Sequence, residues 1–446
     1  MLLTIYFGSL KCSICRLSLE FFTLNPTIIA KSQAPQKRQA MAVFTILALL
    51  PIAVVIIPWD FGPLESRYRQ LMAGHSLSTI LVQLFIFLVF FNNEKLLSDF
   101  VKQTNWFDKI VGTAFLSALL YSFLFVSDSK MLYMLGALAV MVHLLFGLSL
   151  FKNMMGVDHQ IQQKFWIFLG GSVIGYIVLW ALDFIVYPPI EDDWIERVPG
   201  ITNIRWAGFF WLSIFAAGLS LAKSSGSKGV FPAVVFGAIG LTMTLWTGTR
   251  GSLIAIGFGA LCALILSSNY RAFIVKYCVV SAVIAIGINI YAPIPDQQYG
   301  MDRIFSRLQP NEVIKRGGSG RTELWARTID TARNHPFVGH GIDQFQKMGP
   351  KETLGFKAPH SFPVQLLFSV GIIGFLTFAY AIFRFLIVFR LEVKKPHQVA
   401  AATLFTGGSL YALYDNFGYY PYAIGLYTIA IFMLFKRRDP PGSVPT

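Results

Sequence analysis

Apolar residues are not scattered along this chain. They collect in membrane-length runs separated by short polar breaks. Twelve runs stand out, at about 41–58, 76–92, 110–127, 131–151, 165–186, 206–222, 229–247, 251–267, 272–291, 363–389, 398–414 and 420–435. A backbone crossing lipid must satisfy its own hydrogen bonds, so runs of this length predict α-helices. The expected fold is therefore an all-α polytopic membrane protein of about twelve spans. One stretch breaks the rhythm. Residues 292–362 carry ten lysines and arginines and three of the seven histidines, His335, His340 and His360. No bilayer would tolerate that segment, and long loops of this kind tend to carry function or to be disordered. The chain divides accordingly into a tail (1–40), spans one to nine (41–291), a large loop (292–362), spans ten to twelve (363–435) and a short tail (436–446).

The loop reads as structured. In GRTELWARTIDTARNHPFVGHGIDQF, residues Leu324, Trp325, Thr328, Ile329 and Ala332 recur at helical spacing. Ser319 is a candidate N-cap and Asn334-His335-Pro336 a stop. This predicts an amphipathic helix lying along the membrane face, followed by a glycine-hinged turn at GHGIDQF. APHSFPVQLLF then leads straight into the tenth span, leaving His360 at the waterline.

Composition agrees with a membrane protein: 55% of 446 residues are hydrophobic, 13% are charged, and mean hydropathy is +0.58. Soluble domains hold about a quarter charged residues. The net charge of +14 does not point to nucleic acid, because no soluble domain carries a basic face. Its distribution follows the positive-inside rule. Lysines and arginines crowd the loops after even-numbered spans, whereas 188–196 (PPIEDDWIE) is acidic. Arg67 and Arg69 run against the pattern. Both tails are thereby assigned to the cytoplasm and the large loop to the outside, the periplasm in a Gram-negative host. Cys12 and Cys15 form a lone C-x-x-C with no second pair to complete a zinc site, and Cys262 and Cys278 read as apolar fillers. No D-x-D or His/Cys cluster calls for a metal, and nothing calls for a cofactor.

Several polar groups map to the outer face. Arg250 lies in LWTGTRGS, between two runs with almost no loop; it can snorkel to headgroups or bind an anion through its forked donor. Arg205, in GITNIRW, reads as an interfacial anchor or as a further cation. Arg321 opens the loop helix, where most of the neighbouring cations, Arg327 and Arg333 included, read as solvated. The outer loop holding Tyr414, Asp415, Asn416 and Tyr419 shares the face, with Tyr414, Asp415 and Asn416 as candidate acceptor-binding or orienting groups. Three guanidiniums and an imidazole at one surface suit a polyanionic headgroup with a base beside it.

The order TGTRG, GRTELWARTIDTARNHPFVGHGIDQF, HSFPVQLLFSVGIIG resembles the O-antigen ligase and O-antigen polymerase superfamily of bacterial envelope glycosyltransferases. The motifs cover about 200–380, and the twelve-span layout extends the resemblance over the chain. By that resemblance, Arg250 and Arg321, with Arg205 beside them, hold the diphosphate of an undecaprenyl-diphosphate-linked glycan, and His360 activates the acceptor hydroxyl. Here Ser361 follows His360, where relatives often carry Asn. A metal-independent, inverting transfer onto lipid A–core in the inner membrane is the implied reaction, by a monomer among membrane lipids. One dominant loop and a length near 450 residues favour the ligase over the polymerase, which more often shows two comparable loops. They also favour it over a protein O-oligosaccharyltransferase, which often has an added C-terminal domain. A twelve-span transporter would predict inverted repeats and charges at the midplane; the candidates here gather at one face instead.

Overall fold

The computed structural model describes residues 33–52, 74–91, 96, 98, 104–154, 157–186, 207–222, 230–294, 300–306, 321–354, 356, 358–414 and 421–437. Arg205, Asp415, Asn416 and Tyr419 lie outside the described residues, as do Ser319, Cys12 and Cys15.

Each of the twelve apolar runs contains a helix among its described residues. In chain order the helices are α1 (Gln33–Ala48), α2 (Gly74–Val89), α3 (Trp106–Tyr121, continued by a π turn over Ser122–Val126), α4 (Lys130–Met154) and α5 (His159–Val186). Then come α6 (Gly208–Leu219), α7 (Val230–Trp246), α8 (Arg250–Leu266) and α9 (Arg271–Tyr291). The loop contributes α10 (Gly300–Ser306), α11 (Arg321–Ala332) and α12 (Pro350–Thr353), and the chain continues through α13 (Phe362–Val388), α14 (Pro396–Tyr414) and α15 (Pro421–Leu434). Among the described residues, five helical stretches are long and apolar enough to cross a membrane: 106–126, 130–154, 159–182, 268–291 and 362–388. The protein is an all-helical, multi-pass membrane protein. Two departures from expectation concern its ends: α1 begins at Gln33, inside the stretch read as a tail, and Phe389–Leu391 pairs antiparallel with Phe435–Arg437. That short ladder ties the ends of α13 and α15 together.

Helix α6 is apolar all round, and a helix of that kind belongs in an interior. Every residue from Gly208 to Leu219 is buried, against α5, α7, α8 and α14. Helices α3, α4, α9 and the second half of α13 instead turn large apolar side chains outward, Phe125, Leu144, Val283 and Leu376 among them. A belt of that composition is a lipid-facing surface. Polar contacts pin the rim. Asn105 and Asp108 form a capping box at the start of α3, and the Asp108 carboxylate also accepts from Tyr380 Oη (2.5 Å) and Arg384 Nη2 (3.2 Å) on α13.

The sequence predicts one unbroken tenth span, but α13 is interrupted. Gly371 sits at φ 63°, ψ −166°, a region essentially closed to residues with a Cβ. The break strands backbone groups, and the loop satisfies them. The amides of His340 and Gly341 donate to the carbonyls of Phe368 (2.8 Å) and Ser369 (2.9 Å). The amides of Ile372 and Ile373 donate to Pro336 (2.8 Å) and Phe337 (3.1 Å). Gly339 and Gly371 cross so closely that a Cβ on Gly339 would fall 2.6 Å from the Gly371 nitrogen. Non-helical backbone at a membrane edge survives only where protein groups replace water in this way.

Candidate active site on the docked loop

Helix α11 has the amphipathic character its spacing predicts. Leu324, Thr328 and Ala332 are buried, and Leu324 and Ala332 form a small separate core with Phe345 and Phe368. Ile329 departs from the expected stripe and is partly exposed. The helix ends where Asn334-His335-Pro336 stops it, with the His335 amide on the Ala332 carbonyl. On its open face Arg327 pairs with Glu323 (2.5 Å) and Arg333 with Asp330 (3.1 Å). Exposed i,i+3 and i,i+4 pairs of this kind contribute little, which fits their reading as solvated charge.

The opposite edge of α11 reaches the segment before α13. Trp325 Nε1 donates to the Pro359 carbonyl at 2.7 Å. Arg321, half-buried, lies one turn earlier on the same face of the helix as Trp325. His360 follows Pro359 at φ 51°, a left-handed conformation that is uncommon for residues with a Cβ. Its ring meets the Phe356 ring edge-on at 5.6 Å. Ser361 caps α13 through its backbone, with Pro363 in the first turn. The hydrogen bond from Trp325 thus ties the Arg321 helix to the carbonyl immediately before His360.

The other two loop histidines serve the fold. His340 is buried, its ring stacked on Phe368 (4.7 Å, 8°) and edge-on to His335 (4.8 Å), with Nε2 2.9 Å from the Thr331 carbonyl. Burial lowers its pKa below the ordinary imidazole value. Next to it, Gln344 brackets Ser129 at the α3–α4 connection: Oε1 accepts the Ser129 amide (2.9 Å) and Nε2 donates to its carbonyl (3.0 Å). The loop is therefore docked, and it is docked on the connection that the charge pattern assigns to the outside.

The TGTRG turn forms a second cluster. Gly248 adopts φ 62° between α7 and α8, and Thr247 and Thr249 share a hydroxyl hydrogen bond of 2.8 Å. Helix α10 lies across this turn: a Cβ on Gly248 would stand 3.1 Å from Arg303 Cδ and from the Gly300 backbone. Arg250, the first residue of α8, and Arg303 therefore flank one turn. Ser252 Oγ donates to the Gly208 carbonyl at 2.8 Å, and Tyr411 Oη would be 3.0 Å from a Cβ at Gly208. The heads of α6 and α8 and the end of α14 consequently meet here, with Tyr414 one turn beyond Tyr411. Arg303 was only one of ten loop cations by sequence. The signal that could have separated it is the apolar pair Met301 and Ile304 beside it, since Ile304 is buried and anchors α10 to the turn. Arg250 and Arg303 belong to the α7–α8–α10 cluster, whereas Arg321 and His360 belong to the α11–α13 cluster.

The fold and this face define a multi-pass helical membrane protein with a docked, arginine-bearing loop. Residues 234–379, from α7 through the broken helix α13, match the O-antigen ligase family. An O-antigen ligase of Pseudomonas aeruginosa is 31% identical over 96 residues, 22% of this chain and 24% of that protein. The matching region therefore spans about a quarter of that relative's length. Both findings support the resemblance of this chain to the O-antigen ligase and polymerase superfamily, and Arg250, Arg303, Arg321 and His360 all fall within 234–379.

Proposed function

We propose that the chain is an O-antigen ligase of the bacterial inner membrane, moving a glycan en bloc from undecaprenyl diphosphate to a sugar hydroxyl of lipid A–core on the periplasmic face. The observation that carries this reading is the Trp325–Pro359 hydrogen bond, which ties the Arg321 helix to the backbone of His360 inside the region matching the family. An anion-binding cation and a base on one rigid unit are what glycosyl transfer from a lipid diphosphate needs.

The donor is already activated, because diphosphate leaves readily once its charge is offset. Arg250 and Arg321 supply that offset through forked donors matched to phosphate oxygens, without a metal ion. His360 takes the proton of the acceptor hydroxyl as its oxygen attacks the anomeric carbon. The new C–O bond forms opposite the breaking bond to the phosphate oxygen, so the anomeric configuration inverts. Undecaprenyl diphosphate departs as the anion held by the arginines. Arg205 is assigned as a further donor-binding cation, and Tyr414, Asp415 and Asn416 as acceptor-orienting groups.

Glycan profiling of a strain lacking the protein tests this assignment. A ligase defect leaves free lipid A–core and accumulates long carrier-linked O-antigen. Core bearing a single repeat would instead identify a polymerase, and unmodified glycoproteins with intact lipopolysaccharide would identify a protein O-oligosaccharyltransferase.

A further inference from the structure

The bilayer-embedded half of the molecule holds a cleft that the transfer chemistry above does not use. Its volume is ≈ 700 Å³, with α7 as the floor and α5 and α9 as the walls. From Val230 to Met243 the floor runs about 20 Å at 1.5 Å per residue, roughly two thirds of the hydrocarbon thickness of a bilayer. Val234 and Ala238 are buried at its base, whereas Val178 (52% exposed) and Ile284 (39% exposed) form open rims. Among the described residues lining it, Thr242 is the one polar side chain, and its hydroxyl is buried without a hydrogen-bond partner. The volume lies within the range of ligand pockets, and the walls suit an aliphatic chain.

The place where this cleft ends sets it apart from an ordinary helix seam. Helix α7 ends at Trp246, three residues beyond Met243, and two residues further stands Gly248, in the turn flanked by Arg250 and Arg303. The helical part of that path is about 4.5 Å and the two turn residues add at most about 7 Å, so an amphiphile whose chain fills the cleft brings its head to two guanidiniums. A phospholipid carries two chains and one phosphate. A polyprenyl diphosphate carries one chain and two phosphates, which matches a single furrow ending at two cations. We propose that the cleft between α5, α7 and α9 seats the tail of the polyprenyl diphosphate donor, with Arg303 joining Arg250 at its diphosphate. The identity of the lipid rests on the donor reading above; the seat of its chain and the role of Arg303 are new to it.

Binding of undecaprenyl diphosphate to the full chain in phosphatidylcholine nanodiscs, measured by native mass spectrometry, is the test. Ala238→Trp fills the floor and Ile284→Trp narrows the mouth. Each should weaken undecaprenyl diphosphate at least tenfold while sparing a two-isoprene diphosphate. Arg303→Gln should weaken both lengths about tenfold, equivalent to about 1.4 kcal/mol. Unchanged affinity in both tryptophan variants, or in Arg303→Gln, would overturn the corresponding half of the proposal. Displacement by phosphatidylglycerol as effective as by the polyprenyl lipid would overturn it in favour of a phospholipid seat. Should Ala238→Trp fail to fold, Ile284→Trp decides, because that side chain borders lipid. Failure of the wild type to bind undecaprenyl diphosphate at all would sink the donor reading itself. Loss of binding in Arg250→Gln with indifferent tail variants would remove only the cleft.

Discussion

Replacing Gly371 by alanine places a Cβ at the point where the loop enters the broken helix. Two costs can be worked from the structure. The backbone there, at φ 63° and ψ −166°, lies in a region essentially confined to glycine, which costs a substituted residue about 1–3 kcal/mol. The new methyl would also fall 2.5 Å from the carbonyl carbon and oxygen of Phe337, well inside van der Waals contact, so the loop must shift. That shift strains the bonds between residues 336–341 and 368–373, each contributing about 0.5–1.5 kcal/mol. Losing two of them together with the backbone strain gives roughly 2–6 kcal/mol. At about 1.4 kcal/mol per decade, the docked loop would open at least about twentyfold more often. Hydrogen exchange by mass spectrometry in detergent reads this directly, as lost protection at His340, Gly341, Ile372 and Ile373. Gly257→Ala serves as the control, because a Cβ there meets nothing within 4 Å. Wild-type protection of the four amides in Gly371→Ala would refute the account of the break as a glycine-dependent splice.

Other expectations follow from the same geometry. His360→Ala and Arg321→Ala should abolish glycan transfer while the protein remains folded in the membrane; wild-type transfer by either variant would remove that residue from the mechanism. Trp325→Phe deletes the bond to the Pro359 carbonyl, a loss near 1 kcal/mol. It should lower kcat about fivefold with little change in KM or melting temperature, and an effect on melting alone would mark Trp325 as merely structural. His340 is held neutral by burial, and its lowered pKa sets the sign of a pH effect. Its contribution is complete above the ordinary imidazole pKa of about 6.5 and is lost as pH falls through the lower folded-state value. Exchange in residues 336–347 should therefore accelerate on acidification, and His340→Gln should flatten that dependence. A pH-independent exchange rate in the wild type would contradict the sign.

Much of the helical framework was legible because lipid imposes a single periodicity. A run such as 272–291 has no way to bury its backbone except as a helix, and α9 occupies Arg271–Tyr291. Helix α11 was legible for a different reason, since its apolar stripe and its Asn334-His335-Pro336 stop are local signals. The break at Gly371 was not legible. SVGIIG reads as ordinary apolar sequence, and a glycine in a span costs too little by itself to announce a positive φ. Only its crossing with Gly339, 32 residues earlier, requires that conformation. Sorting the histidines needed tertiary contacts too. His335, His340 and His360 are alike in sequence, and burial against Phe368 separates His340 from His360. Arg303 was hidden among equivalent cations because its neighbour, Gly248, lies 55 residues earlier in the chain.

On the proposed reading, the base His360 must be rigid, yet it stands where the loop meets the membrane-spanning helix α13. Rigidity here comes from the break rather than despite it. An uninterrupted α13 would offer no free carbonyls at Phe368 and Ser369, and the 336–341 segment would have nothing to bind except solvent. Opening the helix by one residue exposes two acceptors and two donors, and the loop consumes all four. The same segment, through His340 and Gln344, is bound to Thr331 at the end of α11 and to Ser129 between α3 and α4. Helix α11 is therefore fixed at one end by the splice and, through Trp325, to the carbonyl before His360 at the other. Displacing the loop should then disturb Arg321 and His360 together, whereas the Arg250–Arg303 turn, anchored on α7 and α10, should keep its geometry. On the proposed reading, the Arg250–Arg303 cations and the His360 base therefore sit on different packing units.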